Sequence, residues 1–514
     1  MFVRALSALS LFVAAPALAQ DIEYLDPDFE DTSEESKVEI SGMFESQWHE
    51  YNNLDFRARD ETTDQTILDS DDRNSFAFSG ATLQLRYDID PRTNFAAAVA
   101  HRGLWGNDQI GSISPFGGFL WFSALYVEHH LADGDNAVSF RVGRQFFDIG
   151  GIPSNDYVLA DVLDMVRVDI PLGNVGRLIV IPVNVAGLSS STGDANFVSF
   201  IGQNTTQTFG FRGDHMTRRH GGVLVLDGLA EGLDARAYAF YTDIGALGTG
   251  SDISYNGALG NFADNDWVLN AGIRGSYAAG PVTPWASFDY STGVDRKELV
   301  ALDASTTGFA WGGGIDVRTG EDDAGLRANL SYFEASGASH SGSGLMFNHG
   351  YVGMKARQVG GILGNRFLGW HPTAYVGMFG ISDNPQDTSR KAGTRTIEAH
   401  AGYDFGRTSF DFGYWFLQDT GRSSVDFGDL DNLDPPYGYA REEFAAEERL
   451  GKVLGHELNA TVDYNLTDNI SFRGNGGVLL PGAFYAQDVA RVAGSALGGQ
   501  DVAWALNGGM RVTF

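Results

Sequence analysis

Residues 501–514, DVAWALNGGMRVTF, divide by parity: Val502, Trp504, Leu506, Met510, Val512 and Phe514 fall on one side, Asn507, Gly509, Arg511 and Thr513 on the other. Period two marks an extended strand whose successive side chains point to opposite faces. The same rhythm recurs in ATLQLRYDI, AVSFRVGRQF, MVRVDIPL, GRLIVIPVNV, WVLNAGIRGSY, GLRANLSYFE, TIEAHAGYDF, TSFDFGYWFL, HELNATVDYNL and ISFRGNGGV. These segments have about the 9–11 residues that a tilted strand needs to cross a hydrocarbon layer. Weaker candidates near residues 38–50, 93–101, 120–130, 221–243, 281–291, 308–318 and 349–380 bring the predicted count to roughly 20 strands.

The connections alternate in length. Tight turns such as DIDPRT, LADGDNA, PLGNVG, YAAGPV, DFGRT and YNLTDN are interleaved with long, acidic stretches such as residues 57–74 and 424–436. A transmembrane barrel has this asymmetry, with brief periplasmic turns and extended outer loops, whereas a soluble sandwich has no reason to keep its two ends distinct. Helical spacing is confined to YAREEFAAEERLGKVLG, residues 439–455, which is assigned to an outer loop.

The N-terminal end adds an export signal. MFVRALSALSLFVAAPALAQ has a basic residue, Arg4, an apolar run from Leu6 to Ala15, and Ala17-Leu18-Ala19 as a small-x-small cleavage site. The predicted organisation is a signal peptide over residues 1–19, an acidic disordered segment over 20–37, and a barrel over 38–514. With no cysteine and 66 glycines, an exported chain is held together by something other than disulfides, and a closed sheet serves. The mean hydropathy of -0.15 does not oppose a membrane location, because only alternate strand residues of a barrel meet lipid. A net charge of -31 excludes nucleic acid as a partner.

Parity then separates the charged residues from the lipid. Arg86, Arg141, Arg167, Arg274, Arg318, Arg327, Arg473 and Arg511 each lie beside apolar residues of opposite parity. A charge on the lipid face costs about 2–4 kcal/mol at the midplane, so these arginines are predicted to point inward. Guanidinium groups bind carboxylates bidentately and stay charged, which suits a conduit for an acidic saccharide. The competing reading pairs them with the inward acids Asp88, Glu128, Asp169, Asp289, Asp316, Glu398, Asp411, Glu457 and Asp463 as braces of the wall. Arg144 has lipid-side parity and is expected at a strand end or beyond a bulge.

FRVGRQFFDIGG, followed by LDMVRVDIPLGNVGRLIVIPVNVAG, resembles the alginate-export family of outer-membrane porins, as does GHELNATVDYNLTDNISFRGNGGVLLPGAF near the C-terminus. The resemblance implies an 18-stranded barrel, two strands fewer than the periodicity, and places the doubtful hairpin within residues 348–380. It also singles out Arg141 and Arg167, which lie in the matching stretches, as conduit residues.

Other chemistry is sparse. Asp426, Asp429, Asp431 and Asp434 are closely spaced hard oxygen ligands, a weak calcium candidate in an outer loop without EF-hand spacing. His215 and His220 have no serine fixed beside them, and neither a G-x-S-x-G elbow nor H-E-x-x-H occurs. The expectation is an all-β transmembrane antiparallel barrel of the bacterial outer membrane, not an enzyme. It passively conducts an anionic, alginate-like polysaccharide or oligosaccharide; a general diffusion porin is the alternative and a barrel enzyme the distant one. No cofactor is expected apart from calcium in the outer loops. The expected partners are an acidic saccharide, outer-membrane lipid and lipopolysaccharide, and the barrel-assembly machinery, for which a terminal aromatic such as Phe514 is a signal.

Overall fold

The computed structural model describes residues 38–53, 73–104, 119–134, 136–152, 160–186, 217–244, 266–297, 302–320, 324–336, 340–341, 347–348, 351, 360–363, 394–420, 453–482 and 501–514. The strands are β1 (Val38–Asn52), β2 (Arg73–Asp90), β3 (Thr93–Leu104), β4 (Phe119–His130), β5 (Ser139–Asp148), β6 (Ala160–Pro171), β7 (Arg177–Ala186), β8 (Thr217–Leu226), β9 (Leu233–Ile244) and β10 (Asp266–Tyr277). They continue with β11 (Val282–Lys297), β12 (Leu302–Arg318), β13 (Ala324–Ala335), the two-residue β14 (His340–Ser341) and β15 (Phe347–Asn348), then β16 (Thr394–Phe405), β17 (Thr408–Asp419), β18 (Val453–Thr467), β19 (Ile470–Pro481) and β20 (Ala503–Thr513).

Each long strand pairs antiparallel with the next, and β20 pairs with β1, closing an 18-stranded barrel. β13 pairs directly with β16, from Ala324↔Phe405 to Glu334↔Arg395, so no wall strand lies between residues 348 and 394. The periodicity count of 20 is thereby corrected to 18. The apolar alternation in residues 348–380 belongs instead to a connection, of which Tyr351 and Leu363 are wholly buried. A buried connection carries apolar residues for the same energetic reason as a strand, so periodicity alone cannot distinguish them.

Closure leaves no free sheet edge, which is what allows strands to cross a membrane whose core offers no water to backbone amides. At the seam, the Phe514 N–H donates to the Gly42 carbonyl (3.0 Å) and the Gly42 N–H donates to the Phe514 carbonyl (2.8 Å). The Phe514 ring lies over Gly42, where an added Cβ would come within 2.5 Å of its Cζ. Gly42 is thus the seat of the terminal aromatic.

The outward faces carry the apolar residues. In one transverse row Ile273, Phe288 and Trp311 stand directly opposite one another across β10, β11 and β12, each exposed. Trp504, Leu506 and Phe514 of β20 are exposed on the same outer surface, as their parity predicts. The short turns gather at the end that holds Val38 and Phe514; the long connections emerge at the other. Residues 1–37, including the predicted leader and acidic segment, and most of residues 439–455, with their expected helix, lie outside the described residues. Val453, Leu454 and Gly455 from that stretch open β18.

Candidate functional site: the lumen

Two segments fold into the barrel. After β5 the chain turns at Gly150 and Gly151, both with positive φ (63° and 83°), a conformation that favours glycine. The turn places the Ile149 carbonyl on the guanidinium of Arg236 of β9, which also makes a bidentate pair with Asp234 (3.0 and 2.8 Å). An added Cβ on Gly150 would lie 2.1 Å from Arg236 Nη1, so the close approach requires glycine as well. The second inward segment is Gly360–Leu363. Its Gly361 and Leu363 N–H groups donate to the two carboxylate oxygens of Glu457 (2.9 and 2.7 Å), a side chain with no exposed surface.

The first of these segments helps bury a continuous apolar cluster inside the barrel, through Ile149 and Ile152. Phe147, Ile149, Leu163, Met165, Ile179, Ile181, Val223, Val225, Tyr238 and Phe240 line it from β5 through β9, and the cluster extends to Phe333 of β13 and to Tyr351. Inward parity in most barrels of this width lines water and selects polar side chains. Here many inward residues of β5–β9, among them Phe147, Leu163, Ile179 and Val223, are apolar because they meet other protein. The lumen is therefore narrowed from the β5–β9 wall toward the β12–β13 wall.

Arginines border this constriction. Arg141 and Arg167 are directly opposite each other across the β5–β6 ladder. Arg141 donates to Glu128 (3.0 Å) and lies over the Tyr126 ring; Arg167 makes a bidentate pair with Asp169 (2.7 and 2.8 Å) and lies over Phe147, a member of the apolar cluster. Aromatic faces attract guanidinium groups and hold them flat against the wall.

All eight sequence-predicted arginines point inward, as register shows, but they do not form one set. Arg274 is fully buried with Asp289 (3.0 Å), which also accepts from the Tyr238 hydroxyl, so Arg274 braces the wall and cannot line a conduit. Arg318 faces Arg327 across β12–β13, where Arg327 pairs with Asp404 (3.0 Å) and donates to Ser409. Arg473 pairs with Asp463 (2.6 Å), Arg511 with Glu45 (3.9 Å) and Arg86 with Asp88 (3.4 Å). Of the acids weighed as braces, Asp88, Glu128, Asp169, Asp289 and Asp463 take that role; Glu457 instead holds a loop, and Asp316 accepts from Asn329 (2.7 Å).

Arg144 departs from expectation. It lies within β5 with no register shift beside it, faces outward, and makes a bidentate pair with Asp164 of β6 (2.9 and 2.6 Å). Its outward neighbours Val142 and Leu125 are exposed, so the pair sits among lipid-facing side chains. What makes the outward charge tolerable is a cross-strand partner, which single-strand parity does not reveal. Arg236 was also missed, although the parity of LDARAYAF would have found it. Asp426, Asp429, Asp431, Asp434 and His215 lie outside the described residues; among the described residues no group of three or more His, Cys, Asp or Glu is arranged to hold a metal ion. His220 faces outward, its ring Nδ1 on the Pro182 carbonyl.

No protein-family profile matches the chain, and no curated protein matches it. Solved structures share its fold. OccAB1 of Acinetobacter baumannii superposes with a TM-score of 0.50 at 10% identity, over 93% of this chain and 97% of that one. OccK1 (OpdK) of Pseudomonas aeruginosa gives 0.48 at 9% identity, over 93% and 99%, and OccK8 (OprE) of the same organism gives 0.46 at 11%, over 93% and 98%. These are porin barrels, and nothing among them points to the alginate-export family. With its closed wall and apolar outer surface, the chain is a β-barrel of the bacterial outer membrane with a porin fold.

Proposed function

We propose that this barrel is a passive channel for small, water-soluble anionic solutes. The observation that carries the reading is the constriction: a buried apolar cluster narrows the lumen, and Arg141 and Arg167 stand at its border. A narrowed lumen favours small solutes over a bulky acidic polymer, so the alginate-like cargo expected from sequence resemblance has no support in the geometry. The anionic preference rests on the luminal guanidiniums, which remain charged at any accessible pH. A general diffusion porin with the chain's net charge of -31 would favour cations instead.

Reconstitution in planar bilayers tests both parts. Single-channel conductance is expected, and a salt gradient should give a reversal potential of the sign set by anion preference. Cation preference would return the reading to a general porin, and the absence of conductance in a folded barrel would end it.

A further inference from the structure

The wall at the barrel's closing seam holds a cavity of about 90 Å³, on the inward faces of β1, β19 and β20 with Asp463 of β18. Its charged groups are already matched: Arg473 pairs with Asp463 and Arg511 with Glu45. His49 is likewise engaged, with Tyr51 on Nδ1 and Gln47 on Nε2, and Gln47 donates to Glu45 (3.2 Å). What remains is amide. Asn475 and Asn507 are directly opposite across β19–β20, and both side chains line the cavity. Asn507 is only 9% exposed, and the Oδ1 atoms of both residues are buried without a hydrogen-bond partner.

A buried amide oxygen left unpaired costs about 1–3 kcal/mol, so in a native wall such an atom is expected to meet a bound water or a ligand. Two adjacent side-chain amides present acceptors and donors side by side, since directly opposed Cβ atoms are about 4.5–5.5 Å apart. A vicinal diol offers the complementary set, because each hydroxyl both donates and accepts. The charges around the amides cancel in pairs, so the cavity favours a neutral ligand over an ion. We propose that Asn475 and Asn507 form a luminal binding site for the diol edge of a neutral polyhydroxylated solute, such as a monosaccharide. The site lies apart from the Arg141–Arg167 constriction, and the inference rests on the reading of this chain as a channel whose lumen admits small solutes.

The test uses the full-length barrel, D-glucose as probe and polyethylene glycol of similar size as control. In planar bilayers glucose should reduce the ion current saturably, well beyond the control. Calorimetry on the detergent-solubilised barrel should show glucose binding independently of any conductance. The double substitution Asn475→Ala, Asn507→Ala should raise the half-saturating glucose concentration at least tenfold while the barrel retains its heat-modifiable gel mobility; Asn507→Ser serves if the double variant does not fold. Glucose that acts no differently from the polymer and gives no binding heat overturns the site, as does an unchanged affinity in the variants. Failure of the channel reading is distinct: it appears as a folded barrel that does not conduct, whatever glucose binds.

Discussion

Arg141 and Arg167 stand directly opposite one another on β5 and β6, yet each is held by its own carboxylate, Glu128 and Asp169. Like charges in direct cross-strand register repel, so the acids are what permit the pair. Arg236 and Arg274 repeat the arrangement across β9–β10, with Asp234 and Asp289 as the acids. The two roles weighed from sequence, conduit and brace, are therefore not exclusive. A guanidinium paired with one carboxylate keeps its charge, so bracing at Arg167 does not exclude the proposed conduit role.

Substituting Arg167→Ala leaves Asp169, 17% exposed, without its bidentate partner. A loss of about 1–2 kcal/mol is expected, since the pair is partly solvated. The lumen also becomes more negative, so anion preference should fall, more at low salt than at high. Heat-modifiable gel mobility and reversal potentials on the same variant check both effects. An unchanged reversal potential would remove Arg167 from the conduit.

Glu457 is the clasp of the inward Gly360–Leu363 segment, through two backbone N–H donors. Hydrogen bonds to a charged acceptor contribute about 1.5–3 kcal/mol each, so Glu457→Ala should release the segment from the wall. The expected readout is higher or noisier single-channel conductance. A current trace like that of the parent would mean the segment is held by other contacts.

The Arg274–Asp289 pair is fully buried. Asp289→Ala strands a guanidinium and should cost about 3–5 kcal/mol, which urea titration of the folded barrel would report. Replacing both partners by apolar residues of similar volume should recover part of the loss. If the single and double variants are equally unstable, the charge is not the cause.

The outward pair Arg144–Asp164 predicts an asymmetry. Asp164→Ala leaves an arginine among lipid-facing residues, at about 2–4 kcal/mol if near the midplane, whereas Arg144→Ala leaves an aspartate, which costs less. The double substitution to leucine should be tolerated better than either. Folding yield into lipid vesicles ranks the three.

At the short-turn end, Arg92 makes a bidentate pair with Asp133 of the next turn (2.6 and 2.9 Å). Its hydrogen bonds hold the Asp133 carboxyl below the usual carboxylate range. A depressed folded value means that the contribution to stability is present above the unfolded carboxyl value and is lost as pH falls through the folded one. Carboxyl carbon NMR of Asp133 should titrate below about pH 3.9, the ordinary aspartate value, and Arg92→Ala should return it there.

The alternation of residues such as Trp504, Leu506, Asn507 and Arg511 was sufficient to assign inward and outward faces. Strand parity is a local property, and lipid enforces it wherever an outward charge has no cross-strand partner. The eight inward arginines were legible on the same ground. The family resemblance implied the 18 strands found; periodicity alone did not, because Tyr351 and Leu363 are apolar through burial inside the lumen, which has the same composition signature as a wall strand. Nor was the partnering legible. That Arg274 is sealed against Asp289, that Arg144 survives outside on Asp164, and that Glu457 holds Gly361 depends on cross-strand register and loop docking. Those contacts join residues 15, 20 and 96 positions apart. Register between strands is set by the closure of the whole barrel, so only the tertiary structure decides which inward charges face a solute and which face each other.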